Sequence, residues 1–299
     1  MRFIKDTKID FLGHRKLGFT VSGTLILAGL LSLLLQGGPN LGIDFEGGTL
    51  VQIKFDEPVE VSDLRGALKN SRFENSEIQT FGASDEILIK FQKKDKNISP
   101  VEEIKQAITI ALPGKQFEFR RVETVGPKIG AELSGQAVMT ILTAIIGILI
   151  YISIRFEFKY AAGAVIALVH DVVITLGIFS IMNYEISLAI VAAFLTIVGY
   201  SLNDTIVIFD RIRENVKRLK RENFVTIINR SVNESLSRTV ITSLTTFFVV
   251  FILWFSGGEV IRYFAFAMMV GVIIGTYSSI FVASPVVIYL HDRFAAKNK

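Results

Sequence analysis

Charge is segregated along this chain more sharply than a soluble fold tolerates. Six apolar stretches, 17–36, 134–154, 160–182, 187–209, 239–257 and 263–290, together hold 134 residues and only two formal charges, Asp171 and Asp204. The other 165 residues hold 58. A membrane-crossing helix needs about 20 mostly apolar residues, and each stretch is near or above that length. The sequence therefore predicts six transmembrane helices. A hydrophobic content of 51% and a mean hydropathy of +0.49 agree. They exclude a disordered chain and a single large soluble globule. Zero cysteines and six prolines exclude disulfide-scaffold and collagen-like classes.

The basic residues then orient the chain. Lys and Arg collect in short cytoplasmic loops and tails. Residues 1–16 carry Arg2, Lys5, Lys8, Arg15 and Lys16, loop 155–159 carries Arg155 and Lys159, and the tail carries Arg293, Lys297 and Lys299. Loop 210–238 carries eight basic residues, whereas loops 183–186 and 258–262 share one, Arg262. Both termini are therefore expected in the cytoplasm, with 37–133 outside, because a segment of that length translocates largely regardless of charge. The first span is expected to be an uncleaved anchor, since its apolar core is long and no A-x-A site follows it. The net charge of +4 is read as this orientation signal rather than as a nucleic-acid footprint. Within loop 210–238, Ile212, Val216 and Leu219 form an apolar stripe among clustered basic residues, the pattern of an interfacial helix on an anionic leaflet.

Residues 37–133 read as a separate α+β domain, between an N-terminal part (1–36) and a membrane part (134–299). Gly42–Gly48 reads as a turn as the chain leaves the bilayer. Thr49–Phe55 alternates like a strand, and Ser62 is placed to cap a helix over 62–70. Glu77–Phe81 and Glu86–Phe91 read as strands. A second helix is expected from Ser99-Pro100, with Val101, Ile104, Ile108 and Leu112 on one face, and Gln116–Val125 as the last strand. The order β-α-β-β-α-β is that of a ferredoxin-like domain. The chain shows no P-loop, dinucleotide fingerprint or metal spacing, so no nucleotide, metal or other cofactor is expected.

A charge at the bilayer centre costs roughly 2.5–3.5 kcal/mol on insertion scales, so the two intramembrane carboxylates mark the candidate site. Asp171 lies near the middle of the third span. Asp204 lies about 9 Å from the cytoplasmic end of the fourth, at 1.5 Å per residue, a depth similar to that of Arg238 in the fifth. Helical spacing puts Thr196, Tyr200, Asn203, Asp204 and Val207 on one face, and Ser231, Ser235, Arg238, Thr242 and Thr245/Thr246 on another. Asp171 and Thr175 are one turn apart, with His170 beside Asp171. These stripes predict an internal polar seam. Asp204–Arg238 can be a packing ion pair with the hydroxyls as interhelical glue. Alternatively, it is a protonation relay: burial favours the neutral acid and a nearby guanidinium favours the carboxylate, so moving the Arg switches the proton. His170 ranks below the two Asp residues, as a packing histidine. Ala267, Gly271, Gly275 and Ser279 form a small-residue face on the sixth span suited to close helix packing.

Four blocks resemble the SecF branch of the SecDF protein-export family: Ala167–Gly177, with its Val-His-Asp; Ile197–Asn215, with Gly-Tyr-Ser-Leu-Asn-Asp-Thr; Leu236–Thr239 followed by Thr242-Ser243; and Gly42–Gly48. They are ordered along essentially the whole chain. One departure is Glu234-Ser235, where relatives often carry Gln-Thr. The resemblance implies a membrane six-helix bundle, half of an RND-type transmembrane domain, with an inserted periplasmic domain. It also implies a SecD partner, association with the SecYEG channel and with YajC and YidC, and no enzyme chemistry. It implies use of the proton motive force to assist preprotein translocation across the inner membrane. It places proton passage on Asp204, Arg238 and Thr242, and extends it to Asp171. A non-motor scaffold and half of a small-molecule RND exporter are the alternatives.

Overall fold

The computed structural model describes residues 7–69, 71, 73–91 and 100–297. Ser99 and the charges of Arg2, Lys5 and Lys299 lie outside the described residues. Contacts divide the chain into two compact units, 1–40 with 139–299, and 41–138.

The smaller unit is built from α2 (Ile43–Glu46), β1 (Gly48–Phe55), α3 (Val61–Leu68), β2 (Glu77–Phe81), β3 (Ala83–Phe91), α4 (Pro100–Ala111) and β4 (Phe117–Val125). The strands form one antiparallel sheet in the order β2-β3-β1-β4, the ferredoxin-like arrangement. Period-2 alternation sends Val51, Ile53 and Phe55 of β1 to one face, where they are buried with Leu64, Leu68, Ile104 and Ile108 of the two helices. Leu50 and Leu88 point to the other face and pack with Ile43 of α2. Two local details depart from expectation. Ser62 does not cap α3. Glu60 occupies the cap position without a side-chain bond, and the Ser62 hydroxyl donates to its carboxylate at 3.2 Å. The Gly42–Gly48 segment is a one-turn helix followed by two positive-φ glycines, Gly47 (76°) and Gly48 (142°). A Cβ on Gly47 would stand 2.8 Å from Pro127 Cα, so the turn needs glycine for close approach as well as for its backbone angle.

Six helices among the described residues are long and apolar enough to cross a membrane: Arg15–Leu35, Pro127–Arg155, Phe158–Ile181, Leu188–Arg218, Phe224–Ser256 and Ile261–Phe294. The first five are α1, α5, α6, α7 and α8. The sixth span comprises α9 (Gly258–Ser278), one π-turn (Ser279–Ala283) and α10 (Ser284–Lys297). Pro285 has no N–H for the ordinary i→i−4 bond, and the Ser284 hydroxyl donates to the Ser279 carbonyl at 2.9 Å in this stretch. This is a multi-pass membrane fold with an inserted α+β domain. Its interior lies along α6, α7 and the sixth span, where Leu168, Phe209, Ile212, Ala283 and Val287 are buried together. Small residues set the spacing. A Cβ on Gly29 of α1 would meet Gly177 Cα of α6 at 2.6 Å, and one on Gly275 would meet Ser201 Cβ at 2.9 Å. The predicted small-residue face of the sixth span therefore packs on α7.

The 210–238 segment differs from the sequence reading. No separate interfacial helix forms. α7 continues to Arg218, and α8 starts at Phe224, capped by the Asn223 side chain, which accepts from Val225 N at 3.0 Å. Ile212 faces protein and is fully buried. Among the clustered basic residues, Arg211 and Arg218 converge with Arg230 on Glu234, with Arg218 and Arg230 each 3.2 Å away. Buried Asn215 donates to Ser231 and Glu234 at 3.0 and 2.9 Å. Opposite charges across the hairpin, absent from a one-segment periodicity argument, hold these helical ends together.

Candidate functional site

The two intramembrane carboxylates are both buried but sit in separate clusters. Asp171 of α6 is fully buried. Its Oδ2 accepts from Ser201 of α7 at 2.6 Å and Ser278 of α9 at 2.8 Å. Its Oδ1 is 2.8 Å from His170 Nδ1. His170 Nε2 is 2.9 Å from Ser22 Oγ of α1, and Ser22 Oγ is 3.0 Å from the Tyr277 hydroxyl. Tyr277 in turn donates to the Gly18 carbonyl at 2.5 Å. Thr175 is buried and satisfies its hydroxyl on the Asp171 backbone carbonyl at 2.7 Å.

Asp204 lies one turn beyond Ser201 on α7. Its Oδ2 accepts from Ser243 of α8 at 3.1 Å and from Thr276 of α9 at 3.4 Å, and these two hydroxyls are 2.6 Å apart. α9 contributes a hydroxyl to both carboxylates, Ser278 to Asp171 and Thr276 to Asp204, and α7 carries both Asp204 and Ser201, a donor to Asp171.

The residues expected to share a seam with Asp204 are divided. Arg238 is exposed and makes no ion pair with Asp204 among the described residues. Thr242 is half-buried and bonds its own helix, to Arg238 O at 3.0 Å and Thr239 O at 2.9 Å, and its hydroxyl also reaches the Asp204 carboxyl. Ser235 is buried and bonds Ser231 O at 2.8 Å. Asn203, Thr196 and Thr245 are exposed. The Tyr200 hydroxyl is buried yet has no hydrogen-bond partner among the described residues. The polar stripe of α7 thus straddles a boundary: Asp204 turns into this chain's bundle, and Asn203 and Thr196 turn out of it. Sequence reasoning missed Ser22, Ser201, Tyr277 and Ser278 at Asp171, and Ser243 and Thr276 at Asp204. Their signal was hydroxyls inside apolar spans, but on the sixth span the sequence reading took only Ala267, Gly271, Gly275 and Ser279 as a packing face and passed over Thr276, Tyr277 and Ser278 beside them.

Comparison with known proteins identifies the family. Residues 105–293 match the family model described as protein export membrane protein SecD/SecF, C-terminal, and residues 32–59 match the SecD/SecF GG motif. The protein translocase subunit SecF of Calditerrivibrio nitroreducens is 50% identical over 288 residues, covering 94% of each chain. That of Vibrio alginolyticus is 44% identical, covering 94% of this chain and 90% of its own. The crystal structure of SecDF, a translocon-associated membrane protein from Thermus thermophilus, superposes with a TM-score of 0.86 at 36% identity. That match covers 96% of this chain but only 39% of the SecDF chain, so this chain spans about two-fifths of that protein. The family model over residues 105–293, the GG motif that spans the glycines closing α2 onto the start of α5, and the near full-length relatives lead to one conclusion: the chain belongs to the SecD/SecF family of protein export membrane proteins, as a SecF-type protein translocase subunit.

Proposed function

We propose that the chain works as the SecF half of a SecD–SecF complex beside the SecYEG channel, and that it uses the proton motive force to assist preprotein export across the bacterial inner membrane. YajC and YidC are further candidate neighbours. In this reading both termini are cytoplasmic and the α+β domain is periplasmic, where it meets the emerging preprotein. Asp204 takes up and releases a proton. Arg238 is its movable counter-ion, and Thr242, Tyr200 and Asn203 line the path where this chain meets SecD. Asp171, with Thr175, lies further inside. One charge crossing 100 mV yields about 2.3 kcal/mol, so a few protons per cycle supply enough work to shift packed helices.

The observation that carries this reading is the split of the α7–α8 stripe. A buried carboxylate stands beside an exposed arginine, with no ion pair among the described residues, and an exposed asparagine at an apolar span. Polar side chains facing lipid are costly, so such a face calls for a partner surface. The Thermus structure, in which the matched region is two-fifths of a longer SecDF chain, supports that need. The test is gradient-dependent export by the purified complex in vesicles. Asp204→Asn is expected to leave complex assembly unchanged and to reduce export to the level seen without a gradient. Unchanged export at normal assembly rejects the relay. Reduced recovery of the complex, with gradient coupling intact in what remains, favours a packing scaffold instead.

A further inference from the structure

The hydrogen-bonded chain from Asp171 to Gly18 fixes a proton count. A carbonyl oxygen only accepts, and a serine or tyrosine hydroxyl carries one hydrogen. Tyr277 therefore spends its hydrogen on the Gly18 carbonyl, 2.5 Å away. The 3.0 Å contact between Tyr277 and Ser22 must then be supplied by Ser22. With that hydrogen spent, the 2.9 Å contact between Ser22 and His170 requires a hydrogen on Nε2. The last contact, 2.8 Å between His170 Nδ1 and Asp171 Oδ1, requires one more, on either atom. Ser201 and Ser278 only donate to Asp171 here, so they supply none of the chain's hydrogens. Four contacts need four hydrogens. A neutral histidine, one serine and one tyrosine bring three.

We propose that His170 and Asp171 together hold one exchangeable proton, and that this proton decides whether Tyr277 of the sixth span donates to the Gly18 carbonyl of α1 or, one turn along, to Ser22. The pair is net neutral with the proton and singly negative without it, and the proton belongs to the pair rather than to either residue. Its exit is balanced. Tyr277 lines a groove of about 340 Å³ beside Phe11, Phe281, Asp10 and His14. There Tyr277 gives its hydrogen to water, takes that of Ser22, and Ser22 takes the one on His170 Nε2. Afterwards Tyr277 donates to Ser22, Ser22 donates to His170 Nε2, and Nδ1–H faces the Asp171 carboxylate. Three contacts survive, the two at Ser22 with their direction reversed. Only the Gly18 carbonyl loses its donor. The rest of the α1–α6 contact, at Gly29–Gly177 and at Ser32–Ser180 (2.8 Å), involves no proton that moves. Loss of the proton therefore moves the Tyr277 donor from the Gly18 carbonyl to Ser22 and changes the bonding at that end of α1 alone.

The proton count stands without the export reading above, and only its consequence for export rests on that reading. The groups facing the pair are Ser22 from α1, Ser201 from α7, and Tyr277 and Ser278 from α9. The test is ¹⁵N and ¹³C magnetic resonance of the full chain in lipid bilayers, with His170 assigned by signal loss in His170→Gln. Near neutral pH we expect Nε2 protonated. Tyr277→Phe frees the Ser22 hydrogen, and the Nε2 signal is expected to move entirely to the bare-nitrogen position. In wild type, raising the pH until Nε2 loses its proton should shift the Tyr277 ζ-carbon over the same pH interval. A bare Nε2 in wild type at neutral pH, an unmoved Nε2 signal in folded Tyr277→Phe, or a Tyr277 signal flat across the His170 transition overturns the proposal. Failure of these signals with gradient-driven export intact rejects this inference alone. Unchanged export in Asp204→Asn with the signals as expected rejects only the function proposed above.

Discussion

Asp171 and Asp204 are two carboxylates in the same apolar interior, yet the chain satisfies them in different ways. Asp171 is closed: Ser201, Ser278 and His170 engage both oxygens, and their own helices belong to this chain. Asp204 is held on Oδ2 by hydroxyls of α8 and α9, while one residue before it on α7 Asn203 is exposed. Arg238 is exposed, with no ion pair among the described residues, though its charge still acts on Asp204. A buried group completed internally is part of the fold, and removing it damages the chain itself. A site that is half open at a bundle's edge needs a second surface, and changes there act on assembly and coupling.

The largest expected effect tests the closed side. Asp171→Ala strands three donors in a water-free interior, and removing one partner of a buried charged pair costs about 3–5 kcal/mol. Denaturant unfolding of the full chain in detergent should show a loss of that order. A loss under 1 kcal/mol would mean that Asp171 is not structurally integrated and would erase the distinction. Next comes Gly29→Val. Its Cβ would stand 2.6 Å from Gly177 Cα, backbone that cannot rotate away. Overpacking costs about 1–3 kcal/mol, and α1 should become more accessible to protease or to a thiol probe placed on it.

These contrasts also show what the sequence made legible. The six spans were readable because charge is excluded over lengths that match a bilayer. The β-α-β-β-α-β order was readable because Val51, Ile53 and Phe55 alternate while Ile104 and Ile108 are four apart. Asp171 and Asp204 were readable because charge in such spans is costly. What stayed hidden was partnership across sequence distance. Ser22 is 148 residues from His170, and Ser278 is 107 from Asp171, and no helical periodicity links them. His170 looked like a packing histidine because its two nitrogens were judged without Ser22 and Tyr277. Periodicity also assigned Asn203 and Asp204 to one stripe. They are 100° apart on a helix, enough for packing to turn one inward and the other outward. The Ile212–Leu219 stripe was read against lipid because Glu234, which gathers Arg211 and Arg218, lies on the following helix.

The open side predicts smaller changes in the chain alone. Asn203→Leu alters an exposed residue, so its unfolding free energy should stay within about 0.5 kcal/mol of wild type, as for surface positions without special partners. Recovery of the variant with SecD should fall, because the exposed polar face loses a member. Destabilisation of the isolated chain comparable to that of Asp171→Ala would place Asn203 inside the bundle and remove the boundary drawn through α7.

Glu57, in the α+β domain, sets the lower end of the scale. It too is a carboxylate with a close partner: Lys115 Nζ is 2.5 Å away. The hydrogen bond and charge of Lys115 hold its carboxyl below the usual carboxylate range, against a small opposing effect of burial. A carboxyl whose folded value is depressed contributes stability above its unfolded value and loses it as pH falls through the folded value. Any contribution from this pair is therefore present at neutral pH and disappears in acid below the ordinary range near 4.3. Because Glu57 is open to water, solvent and salt screen the pair. Glu57→Gln should leave the unfolding midpoint at pH 7 within measurement error, and the variant should differ from wild type only in the slope of stability against pH in acid. The partner distance is as short as any around Asp171, so a null result at Glu57 beside a large loss at Asp171 would isolate the surroundings as the deciding variable. An effect at Glu57 as large as that at Asp171 would make the ion contact itself, rather than its exclusion from water, the source of both.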